Sequence, residues 1–330
     1  MANSTLQLPV LFDHDGGVDD FLSLLLLLTM PQVELLGVSI TPADCYPEAA
    51  LETTSKLLHL LGQPQVPVSV GQYYGINAFP SAWRAQPRML NAFPGLLALP
   101  PLAEGRADLR PSPEVLCAQL SAASQPVTVL LTGPCSTLVQ ALALEPRLAS
   151  RIGHVVWMGG AVDVPGNVRT YNQNGTAEWN VFWDPLAAQQ LLTYELPLTL
   201  IPLDVTNQVP VNMAFLRQLA AQAGQPLSHL AGQFWATTVA TIPTYEYTYF
   251  MWDVLATSYL AIPEAFEVET LELAVVATGA QAGRTLRQPG SGHWVQVAKH
   301  VDTAAFYTYL LQQFGPVGSQ VMASLPSAAS

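Results

Sequence analysis

Four carboxylates fall within eight residues near the amino terminus, in Asp13-His-Asp-Gly-Gly-Val-Asp-Asp20. Twenty-four acidic residues spread evenly over 330 would place about 0.6 in such a window. Carboxylates so close together repel one another and raise each other's pKa. A bound hard cation removes that cost, and carboxylate oxygens suit Ca²⁺ or Mg²⁺. The start of a helix also favours negative charge through its dipole, but capping employs one acid rather than four. The spacing is not that of an EF-hand loop, because the regular ligand positions and the terminal Glu are missing. Two chemistries remain open: attack by a cation-oriented water, or phosphoryl transfer with one Asp as nucleophile and another as acid/base.

These acids need a scaffold. Short apolar runs at Val10–Phe12, Leu35–Ile40, Val127–Leu131, Val155–Met158, Leu198–Leu203 and Leu271–Ala277 have strand length and β-branched content. Helical spacing covers Val18–Met30, Glu48–Leu61, Pro113–Ala123, Ser136–Leu144, Pro185–Leu192, Asn212–Ala223, Trp252–Leu260 and Thr303–Phe314. Alternation of the two predicts an α/β fold with an open, largely parallel central sheet flanked by helices, Rossmann-like in plan. The continuously apolar strands suit a sheet covered on both faces. Ligands in such folds bind beyond the carboxyl ends of the strands. The residues expected there are Asp13 to Asp20, Thr41 to Asp44, Thr132 with Gly133, Gly159 with Gly160, and Asp204 to Asn207. No repeat or linker interrupts the chain, so residues 1–330 are expected to form a single domain. Two stretches, 72–111 and 241–250, are expected to be mobile loops over a site; the second holds Tyr245, Tyr247 and Tyr249.

Composition narrows the class of partner. Half the residues are hydrophobic and 11% are charged, which excludes a disordered chain. A net charge of −12 offers no basic face to nucleic acid or to an anionic membrane. The amino terminus lacks the order of a signal peptide. The most apolar stretch, Phe21 to Met30, is shorter than the ~20 residues a span needs. Cys45, Cys117 and Cys135 are odd in number and widely spaced, so the expectation is a cytoplasmic, reducing location with buried, inert thiols. The six histidines show no HxH or HExxH spacing, so zinc is not expected. Strand alternation turns His14 away from its acidic neighbours, into packing.

The acidic block is followed by Thr41-Pro-Ala-Asp-Cys45, Leu131-Thr-Gly-Pro134, Met158-Gly-Gly-Ala-Val-Asp-Val-Pro-Gly-Asn167, Gly175-Thr-Ala-Glu-Trp-Asn180 with Trp183-Asp-Pro185, and Trp252-Asp253. In this order and spacing the set resembles the nucleoside hydrolases, and within them the purine-preferring inosine–adenosine–guanosine branch. The resemblance covers about residues 8–260. It implies a Ca²⁺-dependent N-ribohydrolase with the ion held by Asp15, Asp20, Asp253 and the Thr132 carbonyl. It also implies ribose binding by Asp19, Asn167, Glu178 and Asn180, and a base stacked between Trp83 and Trp252 near Asp44. Broad-specificity relatives carry His just before the late metal-binding Asp, where this chain has Trp252. The purine branch has Asn where this chain has Gly17. Relatives of that branch are dimers, so a homodimer is expected.

On this resemblance Asp15 is the general base, taking a proton from a water that attacks C1′ of the ribose. Three other readings stay beside it. A haloacid dehalogenase-like Mg²⁺ phosphohydrolase would fit the Asp13-His-Asp-Gly start, but needs a mid-chain Lys and a second acidic pair; the only lysines are Lys56 and Lys299. A non-catalytic nucleoside- or ribose-binding relative would be expected to have lost Asp15 or another metal acid, and none is lost. A phosphorylase would want basic residues near the site, where only Arg84 and Arg169 fall.

Overall fold

The computed structural model describes residues 7–100, 107–108, 110–241 and 248–325. Ten strands form one sheet: β1 (Leu8–His14), β2 (Val33–Ile40), β3 (Val68–Val70), β4 (Ala107–Asp108), β5 (Val127–Leu131), β6 (Ile152–Met158), β7 (Leu198–Ile201), β8 (Phe266–Val275), β9 (Thr285–Arg287) and β10 (His293–Val301). Their order is β4-β3-β2-β1-β5-β6-β7-β10-β8-β9. Every pairing from β4 to β10 is parallel, and only β8 runs against its two neighbours. The expected open, largely parallel sheet is present. The chain winds outward from β1 to β4, then returns to β5 on the other side of β1. The switch point, where a ligand crevice opens in such folds, therefore lies between β1 and β5.

All six anticipated runs are strands. β3 and β4 escape notice because three and two residues show no period. β10 is missed for another reason: it alternates buried Val295 and Val297 with exposed Trp294 and Gln296, and so lacks a continuous apolar run. Alternation also divides the core. Val10 and Phe12 of β1 pack into one hydrophobic cluster and Leu11 into another, on the opposite face of the sheet.

The helix Val18–Thr29 joins sheet and site. Its leucine run has high helix propensity, Asp19 and Asp20 occupy the first turn, and Met30 turns extended just before Pro31. Eleven of its twelve residues are buried. It is apolar on all sides because it lies within the core, against the helices Pro47–Leu60, Pro226–Thr241 and Trp252–Ser258. The helix Pro226–Thr241 has no counterpart among the sequence-based expectations. Its interior Gly232 and its threonines and valine are weak helix formers, and tertiary packing overrides them.

The stretch 72–111 is not a bare loop. It holds short helices at Ser81–Arg84, Gln86–Asn91 and Pro94–Leu97, and the strand β4. Proline at the first or second position starts two of those helices, where its missing N–H costs nothing. Of the stretch 241–250, Tyr245 and Tyr247 lie outside the described residues, while Phe250 bridges to Pro210.

The burial of Val18–Thr29 gives a direct test. Leu25 is fully buried and Leu28 only partly. Leu25→Ala is expected to cost about 2–5 kcal/mol in urea denaturation, and Leu28→Ala clearly less. Equal costs would contradict this difference in burial between the two positions.

Candidate active site

β1 ends at His14, and the chain turns through Gly16, whose φ of +85° is a left-handed conformation. A Cβ at Gly16 would also stand 2.6 Å from that of Cys45, so glycine is required twice over. His14 turns away from the turn, as expected. Its Nε2 lies 3.1 Å from the Thr54 hydroxyl, its ring stacks on Phe12, and burial holds its pKa down to about 4. Asp13 is buried beside Thr41 and Thr137. It accepts from the Thr41 hydroxyl at 3.0 Å, and burial raises its pKa to about 8.

Beyond the turn the acids divide by task. Asp20 accepts the Gly17 N–H at 2.7 Å and the Thr132 hydroxyl, which ties the helix start to the end of β5. Asp253 opens the helix Trp252–Ser258 and reaches the same place. Asp15, Asp20, Asp253, Asp44 and Thr132 all line one cleft, with about 680 Å³ of free space open to solvent. Asp19, which the resemblance names as a ribose contact, is engaged with the start of a neighbouring helix. One of its oxygens accepts the N–H groups of Asp253 (2.6 Å) and Val254 (3.3 Å), and the other lies 3.3 Å from the Trp235 indole nitrogen. It caps the helix that presents Asp253, and it is not among the residues lining the cleft.

The loop after β6 supplies the opposite rim. Gly166 and Val168 pair through their N–H groups with the carbonyls of Gly175 and Ala177, and a Cβ at Gly166 would overlap that carbonyl of Ala177. This close approach sets Asn167 beside the short helix Trp179–Trp183, where its Oδ1 accepts the Trp179 N–H at 3.2 Å. Glu178 caps the same helix and also accepts the Gly160 N–H at 2.9 Å. Burial raises its pKa to about 6, against the lowering effect of those backbone donors. Asn180 donates through Nδ2 to the Thr132 carbonyl (2.7 Å) and the Met158 carbonyl (3.1 Å), leaving its Oδ1 to a ligand. Asp204 does not join the cleft. It accepts the N–H groups of Val162 and Asp163 and pairs with Lys299, so it anchors the loop.

Aromatic side chains form two separate clusters on the cleft. Trp83 meets Trp179 edge to face at 5.6 Å and Phe79 at 6.4 Å. Trp252 meets Tyr249 at 4.6 Å. Phe79, Gln86 and Met158 also line the cleft and are absent from the sequence-based set. Gln86 had a detectable signal, standing three residues after Trp83 and so on the same helical face. Met158 and Phe79 had none.

The electrostatics have one cause above the rest. Burial raises the pKa of Asp15, Asp44 and Asp253, and the charge of Asp20 adds to each. Arg84 partly offsets this at Asp44. No Lys or Arg lines the cleft among the described residues. Lys56 is paired with Glu52, and Lys299 with Asp163 and Asp204. Buried oxygens of Asp13, Asp15 and Asp44 have no hydrogen-bond partner. Among the described residues no three acidic, His or Cys side chains stand close enough to form a ready cage for an ion. The donors nevertheless fit a hard cation by type: all are oxygens, several are ionisable, and a buried oxygen of Asp15 on the same cleft has no partner. Free thiols do not contribute, since all three cysteines are buried and burial raises their pKa.

No described helix is long and apolar enough to cross a membrane. Among solved structures, the inosine-uridine preferring nucleoside hydrolase from Bacillus anthracis is 34% identical, with a TM-score of 0.86 over 93% of this chain and 99% of that one. A purine-preferring ribonucleoside hydrolase from Gardnerella vaginalis, 23% identical, shares the fold with a TM-score of 0.79 over 94% of this chain and 99% of that one. The pyrimidine-specific ribonucleoside hydrolase RihA from Klebsiella pneumoniae is 29% identical over 238 residues, 69% of this chain and 70% of its own length. The family model for inosine-uridine preferring nucleoside hydrolases matches residues 10–308, from β1 through β10, and this chain belongs to the nucleoside hydrolase family.

Proposed function

We propose that the cleft hydrolyses the N-glycosidic bond of purine ribonucleosides, releasing free base and ribose. The observation that supports this most is one cleft with buried, unpaired carboxylates at its floor and indoles on its walls. Family membership removes the phosphohydrolase alternative, which would also need a basic side chain to hold phosphate where none of the described residues supplies one.

Asp15, Asp20, Asp253 and the Thr132 carbonyl would hold Ca²⁺. When bound, the ion offsets the carboxylate repulsion and lowers the pKa of an adjacent water. Asp15 takes the proton from the attacking water as general base. The water oxygen bonds to C1′ as the bond from C1′ to the base nitrogen breaks. The electron pair leaves with the base, which gains its proton from solvent. Asn180 offers its free Oδ1 to a ribose hydroxyl, while Glu178 and Asn167 hold the 5′-hydroxyl. Asp19 acts one step back, fixing the helix that presents Asp253.

Relatives named above act on different bases, so the purine preference rests on this chain's own residues. Trp83 and Trp252 belong to separate aromatic clusters, and Trp252 precedes Asp253 where a proton-donating His would suit a pyrimidine leaving group. Stacking on indole favours a large, electron-poor ring. Ribose release is expected to be at least about a hundredfold faster from inosine than from uridine, roughly 2.8 kcal/mol in the barrier, and to be abolished by a calcium chelator. Comparable rates on both nucleosides would remove the purine preference, and chelator-insensitive release would remove the metal.

Asp15→Asn is expected to lower kcat about 10²–10⁴-fold. Its melting temperature in chelator should match or exceed that of the parent, because a repelled charge is removed. Activity within tenfold of the parent would exclude Asp15 as the base.

The raised pKa values also fix a pH dependence. A carboxyl group whose pKa is raised on folding binds its proton more tightly in the folded state, so it costs stability above its folded pKa and less as pH falls. Asp19 is raised to about 7 and Asp13 to about 8. In chelator, the melting temperature should therefore rise as pH drops from about 8.5 to 6.5. Below that range His14, held near 4, works in the opposite direction. Saturating Ca²⁺ held beside these two acids should flatten the rise, and an equally steep rise with Ca²⁺ present would argue against an ion bound by Asp15, Asp20 and Asp253.

A further inference from the structure

We propose that Gln86 is a specificity-determining residue, whose side-chain amide hydrogen-bonds the edge of the nucleobase. Gln86 lines the cleft yet is only 7% exposed. Among the described residues its side-chain amide has no hydrogen-bond partner. Its polar neighbours on the same segment reach the backbone, although the Oδ1 of Asn91 is buried without a partner. Asn91 donates to the Ala49 carbonyl at 3.1 Å, and Arg84 donates to the Cys45 carbonyl at 3.4 Å and lies over the Tyr46 ring. The amide atoms of Gln86 keep some contact with the open cleft, so a ligand edge there can take the place of water.

The backbone places this amide beside the stacking surface. Ala85, between the helices Ser81–Arg84 and Gln86–Asn91, keeps right-handed helical angles (φ −86°, ψ −7°). Trp83 and Gln86 are thus related by three residues of near-continuous helix and lie on one face. A flat ring stacked on Trp83 presents its edge toward Gln86. An amide has two N–H donors and a carbonyl acceptor side by side. That pattern matches a neighbouring N–H and C=O on a ring, the lactam edge of a 6-oxopurine. Asp44, the other polar group on this side of the cleft, has an unpartnered oxygen of its own and lies under the influence of Arg84, not Gln86. The assignment rests on the proposed reaction and deepens it, adding an edge contact to the stacking contact.

The test compares two ribosides that share the sugar and differ in the leaving group: inosine, with a lactam edge, and p-nitrophenyl β-D-ribofuranoside, without one. Gln86→Met keeps length and flexibility and removes the hydrogen bonds; Gln86→Leu serves as a second apolar variant. With calcium-replete protein, kcat/KM for inosine is expected to fall about tenfold to a hundredfold, while that for the nitrophenyl riboside stays within about threefold. Gln86→Asn, which retains the amide, should recover part of the loss. An equal fall on both substrates would show a merely structural role and overturn the assignment, as would unchanged activity on inosine. Failure of the parent protein to hydrolyse either riboside would instead overturn the reaction itself, and the assignment with it.

Discussion

Several buried carboxylates meet at the point where the sheet reverses its winding, with no lysine or arginine among the described residues that line their cleft. Their mutual repulsion is the constraint around which the neighbouring structure is arranged. Part of it is met by helix N-termini. Asp20 accepts the N–H at the start of its own helix, Asp19 caps the helix Trp252–Ser258, Glu178 caps Trp179–Trp183 and Asp184 caps Pro185–Thr193. Each of these acids receives backbone donors and the positive end of a helix dipole. Asp15 and Asp44 receive neither in full, and each keeps a buried oxygen without a partner. The residual repulsion therefore falls unevenly, with Asp15, Asp44 and Asp253 each raised by burial and by the charge of Asp20.

The scaffold makes such repulsion tolerable. The helix Val18–Thr29 cannot shift to relieve its acidic first turn, because nearly all of its length is held in the core. The rim after β6 is fixed from outside the cleft. Asp163 bonds to Arg287 at 2.9 Å and to Lys299 at 2.7 Å, and Asp204 binds both the loop backbone and Lys299. These charges lie away from the cleft and act on it only through the loop that presents Asn167. Basic residues are thus used to hold the frame, while the floor is left acidic.

The parallel sheet and its long helices were legible because period and composition agree: leucine-rich helices and continuously apolar strands look like nothing else. The acidic block was legible by density, and the resemblance drew Asn167, Glu178 and Asn180 toward it. What escaped did so for physical reasons. β10 is an alternating strand, so a criterion tuned to doubly covered strands passes over it. Asp19 and Asp20 are adjacent and chemically identical in the sequence, and only the packing of Trp252–Ser258 separates a helix cap from a cleft acid. Gln86 lies in a segment whose prolines suggest a loop, although its spacing from Trp83 carried the helical face.

The unmatched charge at Asp15 and Asp44 also bears on how such a site would favour a transition state. Hydrolysis of a ribosyl bond develops positive charge on the sugar ring. A neutral nucleoside does nothing to relieve carboxylate repulsion, whereas a cationic ring lying among the same carboxylates does. The repulsion is already present in the folded protein, so no group has to reorganise as the charge appears. Stabilisation gained only as the bond breaks raises kcat rather than merely tightening binding. Gly17 fits this arrangement: a Cβ there would stand 3.3 Å from Asp44 and 3.4 Å from Asp20. The missing side chain leaves both carboxylates where their field reaches the cleft. A bound cation and a developing oxocarbenium ion thus draw on one electrostatic source, and the acids have to remain near enough to serve both.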